Sequence, residues 1–468
     1  MLTEPKNWSQ DRFFCPSSSH YPKNVCKFAF QNLQDMEIEK LYHIFEQHPV
    51  ITTDSRDCPQ GSIFFALKGE TFDGNRFAAL ALEKGCAYAV IDETEYAVAS
   101  DPRYILTEDV LSTMQQLARH HRRTLGTRII GVTGTNGKTT TKELIATVLS
   151  EKYNVLYTRG NFNNHIGVPK TLLQLTRDHD IAVVEMGANH PGEIRTLVNI
   201  VEPDCGIITN VGRAHLEGFG SFEGVVHTKG ELYDFLRTRS GSVIFIDADN
   251  EHLQGIAGDL RQVRYGVGNR TDLCASGEVI ACAPMLRMHW HHGNGEWHEV
   301  QTHLIGSYNL YNMLAAAAVG LYFGVSQEQI DHALSGYIPS NNRSQLTVTA
   351  HNRLIVDTYN ANPTSMDAAL RNFRDMEVAP KMAILGDMRE LGAVSREEHQ
   401  KVIDFLGTSG IDVVWLVGSE FAAIDSPYRK FKDVAEVKAA IAQEHPEGYH
   451  ILIKGSNSIR LFELPESL

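Results

Sequence analysis

The chain has 468 residues, 43% of them hydrophobic and 21% charged; that excludes a disordered tail and suits about two to four domains, with three the central expectation. Lys plus Arg total 43 against 57 Asp plus Glu, a formal charge of −14, which argues against a general nucleic-acid or anionic-membrane binder but leaves room for local anion pockets. Cysteines at 15, 26, 58, 86, 205, 274 and 282 form no C-x-x-C pair, and with no signal-like or bilayer-spanning apolar run they read as free thiols of a cytoplasmic protein.

Residues 1–35 carry Pro5, Pro16, Pro22 and a Ser17-Ser18-Ser19 run without periodicity. A poorly ordered extension is expected there, with Met36 as an alternative start. Ile38, Leu41, Ile44 and Phe45 then share one helical face. Residues 36–126 read as a small α/β domain, with strands over 62–67 and 87–91 and a helix over 77–84 closed by Gly85. Residues 127–340 form the central domain. Apolar strands at 128–132, 181–184, 206–209 and 243–246 alternate with helices, which implies a buried, mostly parallel sheet. A β-rich stretch over 260–305 and a helix over 310–323 follow. Pro339-Ser340-Asn341-Asn342 reads as a linker into a third α/β block, 341–468, with strands at 354–356, 382–385, 413–417 and 451–453. The expected fold class is therefore α/β in three domains.

The sharpest local signal is Gly131-Val132-Thr133-Gly134-Thr135-Asn136-Gly137-Lys138-Thr139-Thr140, between a strand and an amphipathic helix. Glycines let backbone N–H groups crowd around phosphate, and the helix N-terminus adds positive potential. Lys138 is placed to reach terminal phosphates and the Thr139 hydroxyl to ligate Mg²⁺. Val132 stands where the usual pattern has Gly, so this is a variant loop. A phosphate loop alone does not name a reaction, since motors, GTPases, kinases and ligases all carry one. No Asn-Lys-x-Asp guanine-reading motif is present.

In open parallel sheets ligands gather beyond the C-terminal strand ends. Glu185 ends the 181–184 strand and suits a phosphate-bound Mg²⁺, although a strand-end carboxylate can equally cap a turn. His215, in the loop after 206–209, is open to a metal, a transferred phosphate or a structural role. Lys229, in Val226-His227-Thr228-Lys229-Gly230-Glu231, is on its own a solvated helix cation. The histidine-rich segment 288–298 looks metal-like, but Leu286, Met288 and Trp290 alternate with Arg287, His289 and His291. That pattern with Gly-Asn-Gly reads as a hairpin.

G-T-N-G-K-T-T at 134–140, G-N-F-N-N-H-I-G-V-P at 160–169, V-V-E-M-G-A-N-H at 183–190 and A-H-L-E-G-F-G at 214–220 resemble the Mur ligases, the ATP-dependent amide-forming enzymes of peptidoglycan synthesis. Asp54-Ser55-Arg56, A-L-K-G-E-T-F-D-G-N at 66–75, D-T-Y-N-A-N-P-T-S-M at 357–366 and L-G-D-M-R-E-L-G at 385–392 resemble the branch that adds D-alanyl-D-alanine. The likeness runs from about Met36 to the C-terminus.

The resemblance implies a UDP-sugar domain, a central P-loop ATPase and a Rossmann-like C-terminal domain, acting as a monomer. It implies that UDP-N-acetylmuramoyl-tripeptide, D-Ala-D-Ala and ATP give the UDP-linked pentapeptide, ADP and phosphate. Gly134, Thr135, Asn136, Gly137, Lys138, Thr139 and Thr140 would hold ATP, with Lys138 also catalytic. Asn309 and Asn312 resemble adenine-side residues, Arg343 an arginine reaching across to ATP, and Asp357 a ribose contact. Thr139 and Glu185 would hold one Mg²⁺, and His215 and Lys229 a second, the lysine carbamylated by CO₂ so that its charge is inverted. His227 occupies another lysine-like slot, but K-G-E-L-Y at 229–233 favours Lys229. Ser55 and Arg56 would engage UDP, and Asn161 and Asn164 the muramoyl-peptide side. Asn360 and Asn362 would line the turn after Asp357. Lys454 and Ser456 are candidates for the D-Ala-D-Ala carboxylate, with Arg389 and His399 behind them. A sibling amino-acid-adding or folate-polyglutamylating ligase is the nearest rival, and a nucleotide switch without ligase chemistry the rival from another class.

Overall fold

The apolar runs of the sequence become three sheets in a computed structural model that describes residues 37–339 and 345–468. The extension 1–35, the alternative start at Met36, the linker residues Ser340 to Asn342 and Arg343 lie outside the described residues. The chain is an α/β protein of three domains with mostly parallel sheets.

The first sheet has four parallel strands, Ile51–Thr52, Ile63–Phe65, Tyr88–Ile91 and Tyr104–Leu106, in chain order. Helix 37–47 packs its apolar face inward, with Ile38, Leu41 and Phe45 buried. The helix Val110–Leu125 starts at Asp109, whose carboxylate accepts from the Ser112 N–H, and stops at left-handed Gly126. Its His121 bonds Tyr42 on one side and the Leu175 carbonyl on the other. One continuous apolar core runs from Leu41 and Phe45 through Met114 and Leu117 to Val168, Leu172, Leu197 and Leu232. The first and central domains are thus welded by shared packing.

The central sheet has nine strands. Across it run Val155–Tyr157, Ile181–Glu185, Arg128–Thr133, Cys205–Ile208, Val243–Asp247, Arg261–Val267 and Ala275–Cys282, all parallel. Met285–His291 and His298–Ile305 close the edge as an antiparallel hairpin. Leu286, Met288 and Trp290 are fully buried there and Arg287 is exposed, as the alternation predicts, but His291 departs from it: it is 2% exposed, its Nδ1 bonded to the Gly293 carbonyl. Val132 lies buried within the Arg128–Thr133 strand. That is why the phosphate loop is short: it starts only at Gly134.

The third sheet follows the order Gln345–Val348, Arg353–Asp357, His450–Lys454, Lys381–Gly386, Val413–Val417 and Arg429–Phe431, parallel except for its first strand. Separate apolar clusters cover its two faces. The C-terminal ends of the 353–357 and 450–454 strands face the matching ends of the central sheet. No helix among the described residues is long and apolar enough to cross a membrane.

Candidate active site

The phosphate loop is shaped by what it must approach. Gly134 has φ 142°, and a Cβ there would lie 2.0 Å from Thr209 Oγ1. Gly137 has φ 77°, and its Cβ would meet Asn312 Oδ1 at 2.7 Å. Only glycine fits both positions. The loop is pinned to the end of the next strand, where Asn210 accepts from the Thr135 and Asn136 N–H groups and Thr209 Oγ1 donates to the Asn136 carbonyl. Lys138, the first residue of helix Lys138–Ser150, folds back to donate to the Gly134 and Thr135 carbonyls at 2.9 and 3.0 Å.

Behind the loop, Glu185 is 1% exposed. Thr139 Oγ1 donates to its two oxygens at 3.2 and 3.0 Å, and Asn163 Nδ2 donates at 2.8 Å. Lys142, one helical turn past Lys138 and fully buried, holds its ammonium 3.5 Å from the same carboxylate. Buried carboxylate and hydroxyl oxygens suit a hard cation such as Mg²⁺. Among the described residues no three His, Cys, Asp or Glu side chains cluster as a ready-made metal cage.

Lys229 is not the solvated cation that its sequence alone suggests. It is 2% exposed on helix Phe222–Arg237, donates to the Ala188 carbonyl at 3.1 Å and lies 5.2 Å above the Phe219 ring. Burial, reinforced by the charge of Lys138, pushes its ammonium pKa well below the ordinary lysine value. His215 stands edge-on to the same ring at 6.3 Å and bonds Glu390 through Nδ1. Burial lowers its pKa, against the pull of Glu390.

Lys138, Glu185 and His215 line one cavity of about 960 Å³ that also takes in Thr135, Asn136, Gly137, Thr140, Asn161, Asn164, Asn309, Asn312, Asp357, Asn360, Asn362 and Lys454, while Thr139, Lys142 and Lys229 stand behind the lining. Several spend their polar atoms internally. Asn312 donates to Asn309 and accepts from Thr141, while Asn309 donates to the Ile305 carbonyl. Asn164 accepts from the Ile166 and Gly167 N–H groups. Asn360 accepts from the Ala361 N–H. Asn362 caps helix Pro363–Asp375 and crosses to the phosphate loop, donating to Asn136 Oδ1 at 2.8 Å. Lys454, 1% exposed at the side chain, donates to Asp357 at 2.5 Å. Ser456 lies outside the lining and accepts from the Arg389 N–H. His399 is fully buried and accepts from the Met388 N–H. Ser55 and Arg56 are not brought to this cavity. Arg56 is exposed and pairs with Asp54 at 2.7 Å, holding that carboxyl well below its usual range, and the Ser55 carbonyl accepts from Lys84.

Family models for the Mur ligase middle domain, the Mur ligase glutamate ligase domain and the Mur ligase family catalytic domain match residues 132–320, 342–457 and 49–122. The UDP-N-acetylmuramoyl-tripeptide--D-alanyl-D-alanine ligase of Bacillus subtilis is 36% identical over 89% of this chain and 92% of its own length. The chain belongs to the Mur ligase family. The Escherichia coli protein of the same name is 34% identical over 89% and 93%. A crystal structure of MurF from Acinetobacter baumannii superposes with a TM-score of 0.80 at 31% identity, covering 89% and 93%. MurF from Thermotoga maritima in complex with ADP gives 0.79 at 25% identity, covering 89% and 96%.

Within this Mur ligase, sequence reasoning missed Asn163, Lys142, Asp247 and Glu390. Asn163 stood in the quoted turn between the two asparagines chosen. Lys142 follows Lys138 by four residues on the same helix, a legible spacing. Asp247 ends the Val243–Asp247 strand, so the strand-end rule that found Glu185 points to it as well. It is 7% exposed, lines the cavity beside Tyr311 and, chiefly through burial, has its pKa raised to about 6. Glu390 stood in the quoted motif at 385–392, but its pairing is not legible there, because its partner is 175 residues away.

Proposed function

We propose that this protein is the cytoplasmic, monomeric ligase that joins D-alanyl-D-alanine to UDP-N-acetylmuramoyl-tripeptide, consuming ATP and releasing ADP and phosphate in peptidoglycan precursor synthesis. The reading is carried by one observation: a phosphate loop, a buried carboxylate, a loop histidine and the strand ends of the C-terminal domain line a single cavity, in a chain aligned nearly end to end with ligases of that name.

A carboxylate is a poor acylating agent, because its oxygen leaves badly. Transfer of the γ-phosphoryl group to it makes an acyl phosphate, which the D-alanyl amine then attacks to expel phosphate. The protein must hold phosphate charge and align both attacks. The loop N–H groups that Asn210 does not hold cradle the phosphates, and Lys138 leaves its two carbonyls for the β- and γ-oxygens. Asn309, Asn312 and Asp357 border the nucleoside side, and Arg343, outside the described residues, is assigned to ATP by the family resemblance. Asn161, Asn164, Asn360 and Asn362 border the peptide side. Ser55 and Arg56 hold the distant UDP end. Lys454 serves the dipeptide carboxylate, while Ser456, outside the lining, holds the neighbouring backbone.

Bound Mg²⁺ supplies positive charge to the phosphate oxygens. Thr139 and Glu185 fit one ion. At a second position His215 fits, but a Lys229 ammonium would repel a cation. Its burial favours the neutral amine, the form that adds CO₂ at Nζ, losing one proton to become a carbamate with oxygen donors. Lys229→Ala is expected to lose nearly all activity and to regain part of it with formate or acetate. Full unrescued activity would refute this role.

The decisive assay reads product mass with meso-diaminopimelate- and L-lysine-containing tripeptides, D-Ala-D-Ala and alternative dipeptides. Dipeptide addition with ADP release dependent on both substrates is expected. ATP hydrolysis with neither substrate would favour a switch, and addition of a different amino acid a sibling ligase.

A further inference from the structure

We infer that Glu390, carried by the C-terminal domain, is the positioning residue that sets the tautomer and aim of His215, so that docking of that domain completes the reaction centre. This rests on the proposed role of His215.

The segment Gly386-Asp387-Met388-Arg389-Glu390 leaves its strand under unusually tight control. Asp387 is fully buried and accepts from the Glu420 and Phe421 N–H groups, each at 3.0 Å. The Met388 N–H donates to His399 Nε2 at 3.0 Å, and the Arg389 N–H donates to Ser456 Oγ at 3.0 Å. Three consecutive residues are therefore fixed from three different elements. Glu390 comes next with φ 62°, left-handed although it is not glycine. His215, across the domain gap, has φ 50°. L-residues adopt that region only where their surroundings impose it, and such residues concentrate at functional sites. These two meet, Nδ1 of one on Oε2 of the other, while the Glu217 N–H donates to the Glu390 carbonyl at 3.4 Å.

An ionised carboxylate only accepts, so Nδ1 carries the imidazole proton. Nε2 is then the lone-pair nitrogen available to the cavity that His215 lines. Phe219 sits under both His215 and the Lys229 ammonium, so fixing the imidazole also fixes its spacing to Lys229. The Asp387, His399 and Ser456 contacts thereby gain a purpose as the mount of Glu390.

The test uses full-length protein labelled with ¹⁵N-histidine, with ADP and UDP-tripeptide bound and the His215 signal assigned by its loss in His215→Ala. The wild type is expected to show the Nδ1–H tautomer. Glu390→Ala is expected to show a tautomer mixture, with kcat down about 10–100-fold and KM for ATP within about twofold. Glu390→Gln, whose amide oxygen still accepts, is expected to keep the tautomer and recover most of the rate. Glu390 is 53% exposed at the side chain, so thermal unfolding should be unchanged in both variants. A wild-type kcat in Glu390→Ala, or a fall in kcat with the tautomer intact, overturns the proposal. If His215→Ala is itself fully active, the role of His215 fails instead.

Discussion

Glu185 and Lys142 form a charge pair with almost no access to water, and their energetics follow from that. Each ion alone would be strongly penalised by desolvation, so removing one partner leaves the other uncompensated. Lys142→Met is expected to cost about 3 kcal/mol, while the double variant Lys142→Met/Glu185→Gln should regain much of it. Denaturant unfolding of the two single variants and the double reads the coupling directly. Asp247 has no ion-pair partner among the described residues: burial, opposed by a hydrogen bond from the Asp249 N–H, raises its pKa from 3.8 to about 6. A raised carboxyl favours the protonated folded state. Its contribution is fully present below pH 4 and is lost as pH rises through about 6. Asp247→Asn should therefore stabilise the ligand-free protein by up to about 3 kcal/mol at pH 7.5 and leave it unchanged at pH 4. Equal effects at both pH values would contradict this account.

Elements place these residues through their ends. Glu185, Asp247, Asp357 and Lys454 each close a parallel strand, and the phosphate loop hangs between another strand end and a helix start. Gly134→Ala would drive a Cβ into Thr209, and should raise the Kd for ATP at least about tenfold by forcing the loop off its glycine-only backbone, with circular dichroism unaltered. Calorimetric titration against an ATP analogue decides it. The sequence made the long elements legible, since a buried strand such as Ile181–Glu185 is one uninterrupted apolar run. Ile51–Thr52, Tyr104–Leu106 and Val155–Tyr157 have only two or three residues, too few for any periodicity, and were not foreseen. Gln345–Val348 escaped notice because it pairs antiparallel on an edge. The site divides in the same way. Lys138, Thr139 and Glu185 are readable because loop and strand-end chemistry is local. Glu390 and Asn163 are not, because distant segments supply their partners. The solvated reading of Lys229 failed because burial is a property of the fold around a helix, not of its composition.

At the scale of the molecule, the first two domains share one apolar core, while the third keeps one cluster of its own and a second that only Ile305 and Met285 of the central hairpin join. Beyond that small apolar contact, the third domain meets the centre through polar contacts: Asn362 on Asn136, Thr364 on the Arg213 N–H, and Arg213 with Glu398 at 3.2 Å. Polar interfaces of this kind permit rigid-body motion. Arg213→Glu should weaken docking, seen as a larger radius of gyration by small-angle scattering with nucleotide and substrate bound, while the wild type contracts on binding them. Equal dimensions for the two bound proteins would argue against these contacts as the hinge-side latch.

Lys142, Lys229 and Lys454 rank among the largest fully buried side chains of a protein whose formal charge is −14. The cations among them, Lys142 and Lys454, are shielded from the mobile ions that surround the surface, where the screening distance at physiological salt is about 8 Å. Arrival of polyanionic substrates gains nothing from the acidic exterior, yet their grip, once seated, stays out of reach of the ionic atmosphere. An enzyme arranged this way meets changes in cellular ionic strength with an altered rate of encounter and a nearly constant hold.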